Sequence, residues 1–308
     1  MWRDDPRDHD VERGDRSRGT GGDLRDSVAD PRDVFARDLD LPRGSSRQRV
    51  RVRTQTYRIS SSEARTLATV GAFRVVPACD LRDHNERALE RHRGDLRRLR
   101  EAGLVRTVPY MIGRTRTTLV TLTDRGREVL ETRRRSAGDA RSQAFYSGIR
   151  NPRELSHDAM LYRAYLRTAH RLIDRGDRIR RVVLDDELKR EYQRFLQEAN
   201  RGRHDSQGDP LRDEDEIDRW ALIHGLPCVD GHVQFPDLRV EYEDRDGRQM
   251  REDLEVETPH YRGAHAAAKA QSGFTRYRAA GSRIGGGSGR AGGSGSPFDP
   301  HVAESILS

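Results

Sequence analysis

Residues 95–107 read DLRRLREAGLVRT and residues 122–130 read LTDRGREVL. The first run closes a helix, because Leu96 and Leu99 share a face and Gly103 supplies a stop. The second run opens one: Thr123 or Asp124 stands at the N-cap, and the helix continues through Leu130 to about Arg135. Between them, Leu104 to Tyr110 and Thr117 to Leu122 are β-prone and flank a turn containing Gly113, which predicts a hairpin. Upstream, Ser60 and Glu63 have the spacing of a capping box and open a helix from Glu63 to Phe73. Pro77 opens a short second helix to Arg82. Asp83 with Glu86 repeats the start signal, and a third helix follows from His84 to Ala102.

Three helices, a two-stranded wing and a further helix over residues 57–135 have the order of a winged helix-turn-helix. The two quoted runs resemble the recognition-helix end and the post-wing helix of MarR-like and related winged-helix domains. On the wheel of the third helix, Leu89, Leu96 and Leu99 take one side, while Arg87, Arg91 and Arg98 fall within about 40° of one another on the other. Gly94 shares that outward stripe. Asn85 lies near the helix start, where base edges are read, and Arg114 and Arg116 sit at the wing tip. These six polar residues are the candidate contacts to double-stranded DNA.

Charge patterning agrees with this reading. The chain has 308 residues with 58 Lys or Arg against 51 Asp or Glu, and the excess is segregated. Residues 51–138 hold 20 Arg against 10 acids, whereas residues 204–260 hold 6 Arg against 17 acids. One module suits a polyanion, and the other suits a metal site or a solvated acidic surface. Leu, Ile, Val and Phe number 60 of 308, so some segments are expected to lack the apolar surface that folding needs. Residues 1–56, with opposite charges mixed almost residue by residue, read as a disordered tail, as does the Gly/Ser-rich stretch at 281–308. No apolar run has the length to span a bilayer and no signal core opens the chain, so the reading is a soluble, cytoplasmic protein without a membrane partner. Cys79 and Cys228 are too few and too far apart for a disulfide scaffold and read as buried thiols. Only two lysines occur, Lys189 and Lys269, among 56 arginines. In so Arg-biased a chain each lysine is a candidate for chemistry that Arg cannot perform.

Residues 136–153, with Gly138, Gly148 and Pro152, read as a linker to a second module at 154–280. Leu155, Ala159, Tyr162, Leu166, Ala169 and Ile173 recur at helical spacing and predict a helix from Ser156 to Asp174. His157 near its start reads as a packed or capping residue. Val182 to Leu184 is β-branched, residues 186–198 are helical, and residues 204–218 read as a polar loop. Then Leu238, Val240 and Tyr242 alternate with charged residues, and beyond Asp246-Gly247 so do Met250, Leu254 and Val256, with Glu252 out of phase. A three-residue loop ending in Gly247 sets Leu238 opposite Leu254 and Tyr242 opposite Met250, which matches the apolar faces. That register brings Asp237, Glu255 and Glu257 to one edge of the hairpin, as candidate metal ligands.

Pro236-Asp237, Glu255-Val256-Glu257 and a helix from Ala264 to Ala280 holding Lys269 resemble the PD-(D/E)XK nuclease-like core. The resemblance implies that Asp237 and Glu255 hold a divalent cation, Mg or Mn, for catalysis. Glu257 stands where that family has its Lys, so Lys269 is the candidate for the displaced role. A core of this type also carries a strand after the helix, and the Gly/Ser-rich residues 281–296 do not read as one. Residues 57–280, winged helix, His157 helix, Asp237, Glu255-x-Glu257 and Lys269-x7-Tyr277 together, resemble the replication-relaxation family of plasmids and other mobile elements. The fold class expected is therefore α+β, a winged helix-turn-helix followed by a small restriction-endonuclease-like α/β domain. What the family implies is a DNA-binding accessory or regulatory protein of replication or mobilisation, with replication proteins, relaxases or a second copy as partners. Two alternatives stand beside it: a metal-dependent DNA endonuclease aimed by its winged helix, and a non-enzymatic adaptor whose acidic module docks on a basic partner.

Overall fold

A computed structural model of the protein describes residues 30–82, 87–89, 93–112, 115–135, 142–199, 212–257 and 271–278. The protein is mixed α+β, with helices and strands interspersed along the chain. Order begins earlier than charge mixing suggests. A short helix α1, Asp33–Ala36, is followed by a hairpin of β1, Gln48–Val52, and β2, Gln55–Ile59. Residues 30–56 are therefore structured, and the expectation of a disordered tail is corrected there. Phe35, Leu39, Leu41, Val50 and Val52 are all buried, enough apolar anchoring to order a segment whose remaining residues are charged.

Helix α2, Ser61–Ala72, carries the expected capping box: Ser60 Oγ accepts from the Glu63 N–H at 3.3 Å, and the Glu63 carboxylate accepts from the Ser60 N–H at 2.8 Å. Strand β3, Val76–Pro77, leads to a single 3₁₀ turn, Ala78–Asp80, in place of the short second helix; Pro77 is extended, with ψ 131°, so it ends a strand before the turn begins. The third helix is also shorter than expected. Helix α3 runs only Gly94–Glu101, because Gly94 has φ +58°, a left-handed conformation that no helix can run through. Before it the chain doubles back, with the Leu89 N–H donating to the Leu81 carbonyl at 3.1 Å. Strands β4, Val105–Ile112, and β5, Thr115–Leu122, pair antiparallel as predicted, and β3 joins the other edge of β5. Helix α4, Asp124–Thr132, starts at Thr123, whose hydroxyl accepts from the Gly126 N–H.

The stretch read as a linker is packed where it is described. Gln143 pairs through its amide with both the N–H and the carbonyl of Val182, Phe145 is buried, and the Tyr146 N–H donates to the Gly71 carbonyl. Helix α5, Leu155–Asp174, then crosses the molecule. Strand β6, Arg178–Leu184, and helix α6, Asp185–Glu198, follow as expected. Helix α7, Glu214–His224, occupies the acidic half of the stretch read as a loop, opened by a second capping box between Asp213 and Glu216. After the small hairpin of β7, Cys228–Val229, and β8, His232–Val233, come β9, Leu238–Glu243, and β10, Gln249–Glu257. Their register is the one the apolar faces select, Leu238 opposite Leu254 and Tyr242 opposite Met250. Asp244 and Arg248 close the loop, leaving three residues that end in Gly247 at φ +78°. Glu252, out of phase in the sequence, lies on the α5 side and pairs with Arg171.

The chain ends its described course as β11, Thr275–Arg278, parallel to β10. A helix reaching Ala280 is corrected accordingly, because the alternating Thr-Arg-Tyr-Arg favours a strand after Gly273. Tyr277 thus lies beside Val256 on a strand. The four-stranded sheet has the order β11-β10-β9-β6. The main hydrophobic core runs from Phe35 to Val256, and within it Tyr162 and Tyr165 of α5 pack on Phe73, with Phe35 against Phe73 and Tyr165. Among the described residues no helix is long and apolar enough to cross a membrane. Cys79, expected to be buried, is exposed on the 3₁₀ turn.

Candidate functional site

The capping box of α2 also ties the basic region together. Glu63 is 1% exposed, and its two oxygens take Arg98 Nε at 2.6 Å and Arg47 Nε at 3.1 Å in addition to the Ser60 N–H. Arg98 also pairs with Asp95, and both Arg98 and Arg47 keep 40% of their side chains exposed. Arg98 is therefore a structural cation of the α2–α3 contact. The expectation that it joins Arg87 and Arg91 on one helical stripe is corrected, since Arg87 precedes α3 and lies on an exposed loop. Arg116 stands exposed on β5, in register with Met111 of β4, itself 49% exposed. Arg106 on β4 and Arg97 on α3 are also exposed, Arg97 pairing with Glu101. Asn85, Arg91 and Arg114 lie outside the described residues.

At the other candidate site, Asp237 stands immediately before β9. Its Oδ2 accepts from the Val256 N–H at 2.9 Å and lies 3.0 Å from His157 Nε2. Its backbone carbonyl accepts from Asp185 N–H at the start of α6. The other ring nitrogen of His157, Nδ1, is 3.5 Å from Asp158 Oδ1. Burial alone would depress this imidazole, but the two carboxylates outweigh it and push its pKa up to about 10. His157 is therefore an imidazolium at neutral pH, held between two anions. Helical periodicity in the sequence places His157 near the start of α5 but carries no signal for its partner.

Glu257, at the end of β10, pairs with Arg276 Nη1 at 3.3 Å and with Arg278. The hydrogen bond from Arg278 holds its carboxyl below the usual range against the opposing effect of burial. Glu255 is buried, with Arg276 as its register partner on β11. The three carboxylates do share one end of the sheet, but they do not form a metal cage. Among the described residues no group of three His, Cys, Asp or Glu side chains is arranged to hold a metal ion. The expected convergence is corrected for a physical reason: Asp237 turns back to close the β10 backbone and bind His157, and Glu257 turns to the arginines of β11. Sequence reasoning misses those arginines because it places residues 275–278 in the tail of a helix; strand alternation in Thr-Arg-Tyr-Arg is the signal that could have found them. Lys269 lies outside the described residues.

No protein-family model, no curated protein and no solved structure matches the chain.

Proposed function

We propose that the chain is a DNA-binding accessory or regulatory protein, with a winged helix-turn-helix built from α2 to α4 and a nuclease-like module, built from α5 to β11, that serves assembly rather than cleavage. The sheet of β3, β5 and β4 behind α2, α3 and α4 supports the first part, together with the net positive charge of residues 51–138 and the exposed Arg87, Arg106 and Arg116. For the second part the succession α5, β6, β9, β10 and, after residues 258–274, a parallel β11 supplies the strand that a PD-(D/E)XK-like core carries after its helix. The replication-relaxation resemblance, and with it a role in plasmid or mobile-element replication, belongs to the same proposal.

The observation that carries the non-catalytic reading is the donor set itself. A hard divalent ion needs carboxylate oxygens that are not already committed to cations. Here Asp237 faces His157, and Glu257 faces Arg276 and Arg278. Mg or Mn does not fit this arrangement. Two measurements test the proposal. The full chain should retard duplex DNA with an affinity that falls steeply with salt, and supercoiled plasmid incubated with it and Mg²⁺ or Mn²⁺ should stay intact. Absence of duplex binding would overturn the DNA-binding reading, and metal-dependent nicking would replace accessory function with endonuclease activity.

A further inference from the structure

We infer that the β1–β2 hairpin is a second phosphate-contacting element, which grips the backbone of the same duplex that the winged helix engages; the inference rests on the DNA-binding reading above. Its register fixes which residues face outward. Val50 and Val52 are buried on one face and Ile59 beside them, so Arg49, Arg51, Thr56 and Arg58 occupy the other face, all exposed. Arg49 stands directly opposite Arg58 across the two strands. Like charges placed opposite on an antiparallel pair repel and weaken the hairpin. Neither of these two guanidinium groups has a carboxylate partner among the described residues. Many other arginines are neutralised within the fold, as with Arg47 and Arg98 on Glu63, Arg65 on Asp30 and Asp33, and Arg239 on Asp253. A cross-strand arginine pair left facing outward in such a chain is a site for an external anion.

Position and spacing select the phosphodiester backbone. Arg47 donates to the Arg58 carbonyl at 2.6 Å and also binds Glu63, the carboxylate that holds Arg98 of α3. The hairpin base is therefore joined, through the Glu63 carboxylate, to the helix proposed to enter the DNA groove. At its other end, Arg53 pairs with Glu128 of α4, and Arg133, the C-cap of α4, donates to the Arg51 carbonyl at 2.7 Å. Braced at both ends, the hairpin presents its arginines as a fixed row instead of a flexible arm. Arginine forks bind phosphate oxygens without reading base identity, so this element adds affinity and orientation, and sequence preference is left to α3 and the wing.

The test uses the full chain and random-sequence duplex DNA, with affinity measured over a range of salt. Replacing both Arg49→Gln and Arg58→Gln should weaken binding and flatten the slope of log K against log salt by about 1.8, at about 0.9 for each phosphate no longer neutralised. The Arg49→Lys, Arg58→Lys variant should keep most of the slope. If the wild type binds duplex and the glutamine variant binds with the same affinity and slope, the hairpin is not in the interface, and the inference fails while the DNA-binding reading stands. If the wild type itself does not bind duplex, that reading fails first and carries this one with it. Circular dichroism monitors the fold. Should the double variant unfold, Arg51→Gln gives the same decision, with a flattening of about 0.9 expected and an unchanged slope overturning the inference.

Discussion

Glu63 concentrates several tasks in one side chain. It caps α2, binds Arg98 of α3 and binds Arg47 ahead of the β1–β2 hairpin, all while 1% exposed. A buried carboxylate that loses a charged partner is left partly uncompensated, so Arg98→Ala should destabilise the protein by about 1–3 kcal/mol. Urea denaturation checks this, and a midpoint equal to that of wild type would show that Arg98 is a surface cation after all. The cap itself is legible in the sequence because Ser60 and Glu63 lie three residues apart. Its ion pairs are not, because Arg47 and Arg98 reach Glu63 across 16 and 35 positions, and no local spacing encodes such a meeting.

His157 supplies the pH response. Its folded pKa, about 10, stands above its ordinary 6.5, so protonation favours the folded state. The contribution is complete below about pH 6.5, declines as pH rises and is gone above about 10. The stability advantage of wild type over His157→Gln should therefore shrink across that interval, as read by denaturant titrations at stepped pH. Parallel pH curves for the two proteins would mean that folding does not raise the pKa of this imidazole. Asp237 is legible from its Pro-Asp context and its hairpin register; its partner is not, because α5 and β9 are brought together only by the tertiary fold.

At the scale of elements, legibility follows the range of the forces involved. Caps and strand alternation are local, and α2, α4, α5, β4, β5, β9 and β10 can be read close to their observed limits. The β1–β2 hairpin alternates too, Val50 and Val52 against Arg49 and Arg51, but the surrounding charge mixture obscures a pattern only a few residues long. The sequence over-extends helix α3 because Leu89, Leu96 and Leu99 fit a helical wheel; Leu89 is buried from a different direction, by a chain reversal. The LTDRGREVL run holds a steric requirement as well. A Cβ on Gly126 would stand 2.1 Å from the Leu104 carbonyl oxygen, a backbone atom that cannot swing aside. Gly126→Ala should push α4 off the turn between α3 and β4 and lower stability by about 1–3 kcal/mol. A melting temperature within error of wild type would show that the contact relaxes at no cost.

For the whole molecule, composition is a poor guide to division. Gly138, Gly148 and Pro152 give residues 136–153 the look of a boundary, yet Gln143 completes the edge of β6 and Phe145 enters the core. Hydrogen bonds from a glutamine amide to a strand 39 residues away leave no trace in local composition. Helix α5, credited by sequence to the second module, also completes the first: Tyr162 and Tyr165 pack on Phe35 and Phe73. Residues 1–135 produced alone should consequently expose Phe35 and Phe73 and lack a sharp melting transition. A fragment that melts cooperatively would establish that the first half supports itself.

Because α5 lends its tyrosines to one half and, through Arg171, reaches Glu252 in the sheet of the other, neither half can open without disturbing the same helix. Free energy supplied by a ligand is then shared across the fold instead of staying where it binds. If the chain binds duplex DNA as proposed, amide exchange in β9 and β10 should slow along with that in α2 to α4, and heating the complex should give one transition across the whole fold.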